Sequence, residues 1–239
     1  MEKKQVDLIF CAGGNKRLAE IAIKNGFRFG SQLPSTNYFP IYFADQDWKN
    51  PKKDAYLLEI RRLRPKIATV LDLEFDYQVD EVLSWAEDIS KVVEVVIIIP
   101  KFSGAISLLP KKINGKEVRL GYSVPTKFGG TTVSIDEFID FPIHLLGGSP
   151  HKQLNLFNKM NVKSVDGNMS AKMATRFCAF WTNGDATYAK NRYWPKLKEA
   201  DGYNFGFGAV YEAFDRSCRN IINAWRNVAI VNEYDCIDT

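Results

Sequence analysis

The feature that most constrains this chain is a repeated pattern of short apolar runs, each closed by a polar or glycine-rich turn. Helical spacing of apolar residues stands between most of the runs. Several runs are apolar without alternation, as expected for strands that are covered on both faces. Counting 27–44 as one element, there are eight of them, at residues 6–12, 27–44, 66–71, 94–99, 118–122, 142–146, 162–165 and 178–181.

The clearest repeat unit lies at residues 141–177. Its first apolar run ends at a glycine pair, an amphipathic helix follows, and its second run ends at Asp166. Parallel strands are joined in this way, and ligands of α/β folds collect at the carboxyl ends of those strands. The two histidines of the chain, His144 and His151, flank the glycine turn.

Eight strand-like runs with intervening helices predict a (β/α)8 TIM-type barrel. A doubly wound open sheet is the alternative, since eight parallel strands can also lie flat. A chain of 239 residues without an internal linker predicts one domain, residues 1–239. Within it we expect the barrel at about 5–184 and a closing, mainly helical segment at 185–239.

Composition adds limits rather than a function. A hydrophobic content of 46% with 25% charged residues is typical of a globular protein, and a net charge of +4 is compatible with a nucleic-acid partner without arguing for one. The four cysteines are scattered, so neither a disulfide framework nor a zinc site is predicted. No signal peptide or membrane-length apolar run is present, which predicts a cytoplasmic protein without a membrane partner.

Polar side chains at the run ends are the candidate site. They are Asp45, Asp47, Asp72, Glu74, Lys101, Ser123, His144 and Asp166. Carboxylates that meet at one rim raise one another's pKa. Such an arrangement suits a metal, a cationic or hydrogen-bond-donating ligand, or acid–base and nucleophilic chemistry.

Each of these residues also has a purely structural explanation. Asp45 would serve as a helix cap, Asp72 as part of a solvated acidic loop, and Asp166 as the first residue of an Asx-Gly turn. His144, taken alone, is typical of a buried core histidine. The argument for a site is the joint placement of one polar group at each strand end.

The order of short motifs between about residues 40 and 182 resembles the tRNA-guanine transglycosylase superfamily. The similarity includes its shorter phage and bacterial relatives, which put 7-deazaguanine bases into DNA. The motifs are ADQ at 44–46, VLDLE at 70–74, LGYS at 120–123, HLLGG at 144–148 and SVD at 164–166.

The resemblance implies base exchange at a nucleoside through a covalent aspartyl-glycosyl intermediate. It assigns Asp166 as the nucleophile and Asp45 as the acid–base or sugar-orienting group. It makes Asp72 the base-reading carboxylate, with Glu74 in reserve. The other expected substrate contacts are Lys101, Gly121, Ser123, His144, Gly147, Gly148, His151 and Asn168. No metal and no redox cofactor is required.

Departures from that family bear on the substrate. Asp45 is followed by Gln46-Asp47-Trp48 where the family has Ser-Gly-Gly. The zinc site and the tRNA-holding insertion of the tRNA enzymes are missing, so DNA is favoured over tRNA, with a 7-deazaguanine base as co-substrate. An accessory domain or protein is expected to help present the DNA, and a displaced base would stack on Trp48 or on 203–207.

Two other functions stay open. One is a barrel that binds a nucleic acid or nucleotide without catalysis. The other is a metal-dependent hydrolase that uses Asp45, Asp72, His144 and Asp166, although no HxH or HxxxH pair is present to anchor a metal.

Overall fold

A computed structural model describes residues 3–11, 14–127, 129–188, 190–201 and 206–233 of the chain. The strands are β1 (Gln5–Cys11), β2 (Arg28–Leu33), β3 (Phe43–Gln46), β4 (Ile67–Leu73), β5 (Val95–Pro100), β6 (Lys112–Ile113), β7 (Lys116–Ser123), β8 (Ile143–Leu146), β9 (Val162–Gly167) and β10 (Ile230–Asn232). The α-helices are α1 (Lys16–Lys24), α2 (Lys53–Leu63), α3 (Val79–Ser90), α4 (Pro150–Phe157), α5 (Met169–Phe177), α6 (Leu197–Asp201) and α7 (Phe207–Val228). Short 3₁₀ helices lie at Asp76–Gln78, Ala105–Leu108 and Ile135–Phe138.

Eight of the strands form a closed parallel barrel in the order β1-β2-β3-β4-β5-β7-β8-β9. Closure is made by β1, which pairs in parallel with β2 on one side and with β9 on the other. The predicted (β/α)8 barrel is therefore confirmed, and the doubly wound sheet is excluded because such a sheet has two free edges.

Two of the eight predicted strands differ in the structure. The stretch 27–44 contains two barrel strands, β2 and β3, joined by a loop without a helix. The run 178–181 is not a strand. Its Trp181 is fully buried, and the Trp181 N–H donates to Ser217 Oγ on α7 at 2.8 Å. Since the barrel already closes between β9 and β1, no strand edge remains for this run to join.

The barrel interior is apolar in its middle and polar at both ends. Six buried side chains form its apolar layer: Ile9, Phe43, Ile67, Val95, Ile97 and Ile99. Toward the amino ends of the strands lies the buried Asp7, which faces Arg119. The outward faces of the strands pack on the helices in one large core.

The segment after β9 packs on the outer surface of the barrel. Helix α7 packs against α1 and α5, where Phe214 contacts Phe10 of β1 at 5.0 Å between ring centroids. Strand β10 then pairs with the first residues of β1, a pairing absent from the sequence predictions. In the described ranges, no helix is both long enough and apolar enough to cross a membrane.

Candidate active site

Side chains from six barrel strands meet in one cavity at the carboxyl ends of the strands. The cavity has a volume of about 600 Å³. Its polar lining comprises Asp45, Gln46, Thr69, Asp72, Glu74, Lys101, Ser123, Thr132 and Asp166, with the backbone of Gly147. The structure thus brings together six of the eight strand-end groups that the sequence pattern singled out, because parallel barrel strands all end at the same rim. The other two are Asp47, which lines a neighbouring cavity, and His144, which is buried.

Asp166 is held on one side by the backbone. The Gly147 N–H donates to Asp166 Oδ1 at 3.2 Å, and His144 Nε2 lies 3.3 Å from the same oxygen. The Gln153 side chain ties the ends of β8 and β9 together, since its Nε2 donates to the carbonyl oxygens of Gly147 at 2.7 Å and Asp166 at 2.8 Å. The Asp166 side chain is only 12% exposed, and that exposed part faces the cavity.

Asp45 is a carboxyl group that titrates near neutral pH. Burial, and then the negative charges of Asp166 and Asp72, raise its pKa from 3.8 to about 7. The Thr69 hydroxyl, which donates to Asp45 Oδ1 at 3.2 Å, opposes that rise. A carboxyl group with such a pKa can both give and take a proton at neutral pH.

Asp72 and Lys101 form an ion pair on the wall of the cavity. Lys101 Nζ lies 3.2 Å from Asp72 Oδ2 and donates to Ser123 Oγ at 2.9 Å. Burial raises the pKa of Asp72, and the charge of Lys101 opposes this effect. Glu74, the reserve carboxylate, is exposed at the rim of the same cavity.

A second cavity of about 380 Å³ lies on the other side of Asp45. Asn168 lines it, together with Cys11, whose thiol pKa is raised by burial and by the charges of Asp166 and Asp45. Asp45 therefore stands between two spaces, each large enough for part of a nucleotide-sized ligand.

Exposed aromatic side chains surround the mouth of the first cavity. Trp48 is 60% exposed and Phe75 51% exposed, and both line the cavity. Tyr77, which is 76% exposed, stacks on Phe75 with 5.3 Å between centroids and 6° between ring planes. Residues 203–205 of the other expected stacking region, 203–207, lie outside the described residues.

Four expected substrate contacts lie outside both cavities. Gly121 and Gly148 are packing positions, since a Cβ atom would lie 2.6 Å from Ile99 Cγ1 at the first and 2.6 Å from Val124 Cγ1 at the second. His144 is fully buried below Asp166.

The fourth, His151, lies on α4. Its ring stacks on Tyr193 at 4.3 Å, and its Nε2 is 3.1 Å from Ser149 Oγ. Burial lowers the pKa of His151, with a smaller contribution from the charge of Lys152. These contacts give the side chain a structural role beside the barrel.

Sequence reasoning missed the groups that support the site from below, chiefly Arg119 and Ser164. A signal for both was present in the period of a strand, because residues two apart share one face. Ser164 precedes Asp166 by two positions, and Arg119 precedes Gly121 by two. Both side chains point into the barrel, where Arg119 Nη1 donates to Ser164 Oγ at 3.0 Å.

The described part of the chain contains no group of three or more His, Cys, Asp or Glu side chains placed to hold a metal ion. The metal-dependent hydrolase alternative therefore has no ligand set among these residues.

Fold and site together define a parallel α/β barrel with a carboxylate-lined mouth. Residues 20–226 match the model of a protein family described as a family of unknown function, DUF6610. Because this match covers most of the chain, the protein belongs to that family. No curated protein matches the chain.

Proposed function

We propose that this protein is a base-exchange transglycosylase that replaces guanine in a polynucleotide with a 7-deazaguanine. The observation that carries the proposal is the pairing of two carboxyl groups in one cavity. Asp166 is oriented by the Gly147 N–H, and beside it Asp45 has a pKa of about 7. A nucleophile next to a group that shuttles a proton is what exchange at a glycosidic carbon requires.

Asp72 and Lys101 supply the complement of a guanine edge. Guanine offers an acceptor at O6 and donors at N1 and the 2-amino group. The Lys101 ammonium lies beside the Asp72 carboxylate, with Nζ 3.2 Å from Oδ2. The pair therefore presents a donor to guanine O6 and carboxylate acceptors to N1–H and the 2-amino group. A 7-deazaguanine has the same edge, so one pocket would serve the leaving and the entering base.

The exchange is balanced in atoms and protons. The Asp166 carboxylate forms a bond to C1′ while the C1′–N9 bond breaks. The electron pair of the C1′–N9 bond leaves with guanine. The protonated Asp45 carboxyl gives its proton to the departing base. The entering 7-deazaguanine returns a proton from N9 to Asp45, and its N9 attacks C1′. The ester electron pair then goes back to Asp166. A buried anion near C1′ stabilises the oxocarbenium-like transition states of both steps.

The polynucleotide that we propose is DNA, with tRNA as the alternative. A base must leave a duplex to enter a barrel mouth, so single-stranded or locally opened DNA should react better than an intact duplex. The exposed rings of Trp48 and Phe75 offer faces on which neighbouring bases could stack. Acidic side chains at the mouth repel phosphates, which is why an accessory domain or protein is expected to help hold the strand.

The test is an exchange assay with labelled guanine or a 7-deazaguanine, run in parallel on tRNA, single-stranded DNA and duplex DNA of the same sequence. Incorporation into single-stranded DNA above the other two supports the proposal. Incorporation into tRNA alone would move the activity to tRNA. Binding without incorporation into any of them would favour the non-catalytic barrel.

A further inference from the structure

A line of buried polar groups crosses the barrel interior and ends at Asp166. Arg119 lies between Asp7 and Glu117, with 3.7 Å from Nη1 to Asp7 Oδ2 and 2.6 Å from Nε to Glu117 Oε1. Its Nη1 donates to Ser164 Oγ at 3.0 Å, and that oxygen is 2.8 Å from His144 Nδ1. A buried polar group that lacks a hydrogen-bond partner destabilises the fold. Each donor along this line can therefore be assigned to an acceptor.

The direction of the hydrogen bonds follows from the arginine. Arg119 can only donate, so Ser164 Oγ accepts from it. The serine hydroxyl still has its one hydrogen to donate, and among the described residues the acceptor in reach is His144 Nδ1 at 2.8 Å. An Nδ1 that accepts carries no proton, so a neutral His144 carries its proton on Nε2.

The Nε2 atom faces the candidate nucleophile. It lies 3.3 Å from Asp166 Oδ1, although its alignment is not that of a hydrogen bond, and no other described group accepts from it. Catalytic hydrogen bonds are often long or misaligned before substrate binds. Oδ1 also accepts from the Gly147 N–H, whereas no described donor reaches Oδ2.

The imidazole of His144 is buried and cannot contact a ligand directly. It is 0% exposed and stacks on Phe43, with 4.9 Å between centroids and 28° between planes. Apart from Asp166, the charged or titratable groups toward this part of the interior include Arg119 on β7, Asp7 and Cys11 on β1, Tyr42 just before β3, and Asp45 on β3. His144 therefore acts on substrate only through Asp166.

We propose that His144 is a positioning residue for Asp166, held by Ser164 and Arg119 in the tautomer that donates from Nε2. The Gly147 N–H donates to Oδ1, and Nε2 is placed to donate to the same oxygen once substrate binds, so the carboxylate is oriented with Oδ2 as the oxygen that attacks. The catalytic role of His144 rests on the proposed base exchange, whereas the assignment of its tautomer is independent of that function.

The tautomer can be measured directly because the chain has only two histidines. In a His151→Gln background, long-range ¹⁵N–¹H NMR observes the single imidazole of His144. The expected spectrum shows an unprotonated Nδ1 and a protonated Nε2. Ser164→Ala, which removes the hydroxyl donor, should shift the population toward the other tautomer. A proton on Nδ1 in the His151→Gln protein would overturn the proposal. So would an unchanged tautomer when Ser164→Ala is added to that protein. The tautomer measured in the His151→Gln protein tests the proposal even if the serine variant does not fold.

A matched pair of substitutions tests the role in catalysis. The side-chain amide nitrogen of His144→Gln can take the place of Nε2, whereas that of His144→Asn takes the place of Nδ1. We expect the asparagine variant to lose about 10- to 100-fold in kcat with KM for guanine unchanged, which is the fold-change that one hydrogen bond to a charged group supplies. The glutamine variant should recover most of that loss.

Equal losses in the two variants, or a change in KM alone, would assign His144 a packing role and overturn the proposal. The two hypotheses fail separately. If the parent protein exchanges no base on any polynucleotide, the proposed function fails, while the NMR result still decides the tautomer.

Discussion

Lys101 Nζ lies 3.2 Å from Asp72 Oδ2, joining the ends of two neighbouring barrel strands across the wall of the main cavity. Both side chains are largely buried, with exposed fractions of 25% and 17%. An ammonium and a carboxylate held this way form a fixed donor–acceptor pair, and a ligand with a matching edge can bind without reorganising either group.

Lys101→Met should therefore weaken guanine binding. The variant keeps the apolar stem but loses the donor, and the pKa of Asp72 should rise further because Lys101 lowers it. Loss of a charge-assisted hydrogen bond of about 1.5–3 kcal/mol predicts roughly a 10- to 100-fold higher KM for guanine. Lys112→Met, at an exposed position of β6, is the control. Equal guanine KM values in the two variants would contradict the recognition scheme.

Asp166→Asn should abolish exchange while the protein stays folded. Asparagine preserves the acceptor for the Gly147 N–H but is not a nucleophile. Loss of a nucleophile lowers the rate by several orders of magnitude, whereas a changed turn residue costs about 1 kcal/mol of stability. Labelled-guanine exchange and thermal unfolding should be compared with Asp76→Asn, an exposed carboxylate outside the cavity. Normal turnover would remove Asp166 from the mechanism.

Asp45 should make folding stability depend on pH. Its pKa in the folded state is about 7, above the usual 3.8, so the folded protein binds more protons than the unfolded chain between these values. The free energy of unfolding should then fall as pH rises from about 4 to about 7. Asp45→Asn lacks this loss and should be more stable than the parent at pH 8, by up to roughly 4 kcal/mol.

Urea unfolding at pH 5 and pH 8 measures the effect, with Asp76→Asn as the control. A parent and an Asp45→Asn variant that share the same pH dependence would show that the carboxyl group does not titrate in this range.

The aromatic rim should contribute to single-stranded DNA binding. Trp48→Ala and Phe75→Ala should each weaken binding by about 1–3 kcal/mol, the value of one stacked base. Phe177→Ala, 49% exposed at the end of α5, is the control. The other four tryptophans are at most 9% exposed, so quenching of tryptophan fluorescence by an oligonucleotide would report on Trp48. Unchanged affinity in both rim variants would place the strand elsewhere.

Gly121→Ala should lower stability, because the new Cβ atom would meet Ile99 Cγ1 at 2.6 Å and Leu146 Cδ1 at 2.8 Å. Overpacking of this kind costs about 1–3 kcal/mol. Gly208→Ala, where a Cβ atom meets nothing within 4 Å, is the control in urea unfolding. Full stability with loss of guanine binding would return Gly121 to the substrate contacts.

Much of the architecture could be predicted from local pattern. Apolar runs without alternation indicated parallel strands buried on both faces, and polar residues at their ends indicated one rim. Asp45, Asp72, Lys101, Ser123 and Asp166 do share one cavity. This worked because chain direction in a parallel barrel puts every strand's carboxyl end on the same side, whatever the details of packing.

Only the tertiary structure decided which runs become strands and how deep each polar group lies. The run 178–181 has a strand-like composition, but the barrel closes without it. His144 and Gly121 belong to cavity motifs by position, yet both lie below the cavity floor. A strand's period of two determines which face a side chain takes, but its depth depends on register, tilt and neighbouring side chains. Those are set by contacts between residues far apart in the chain, which no local pattern contains.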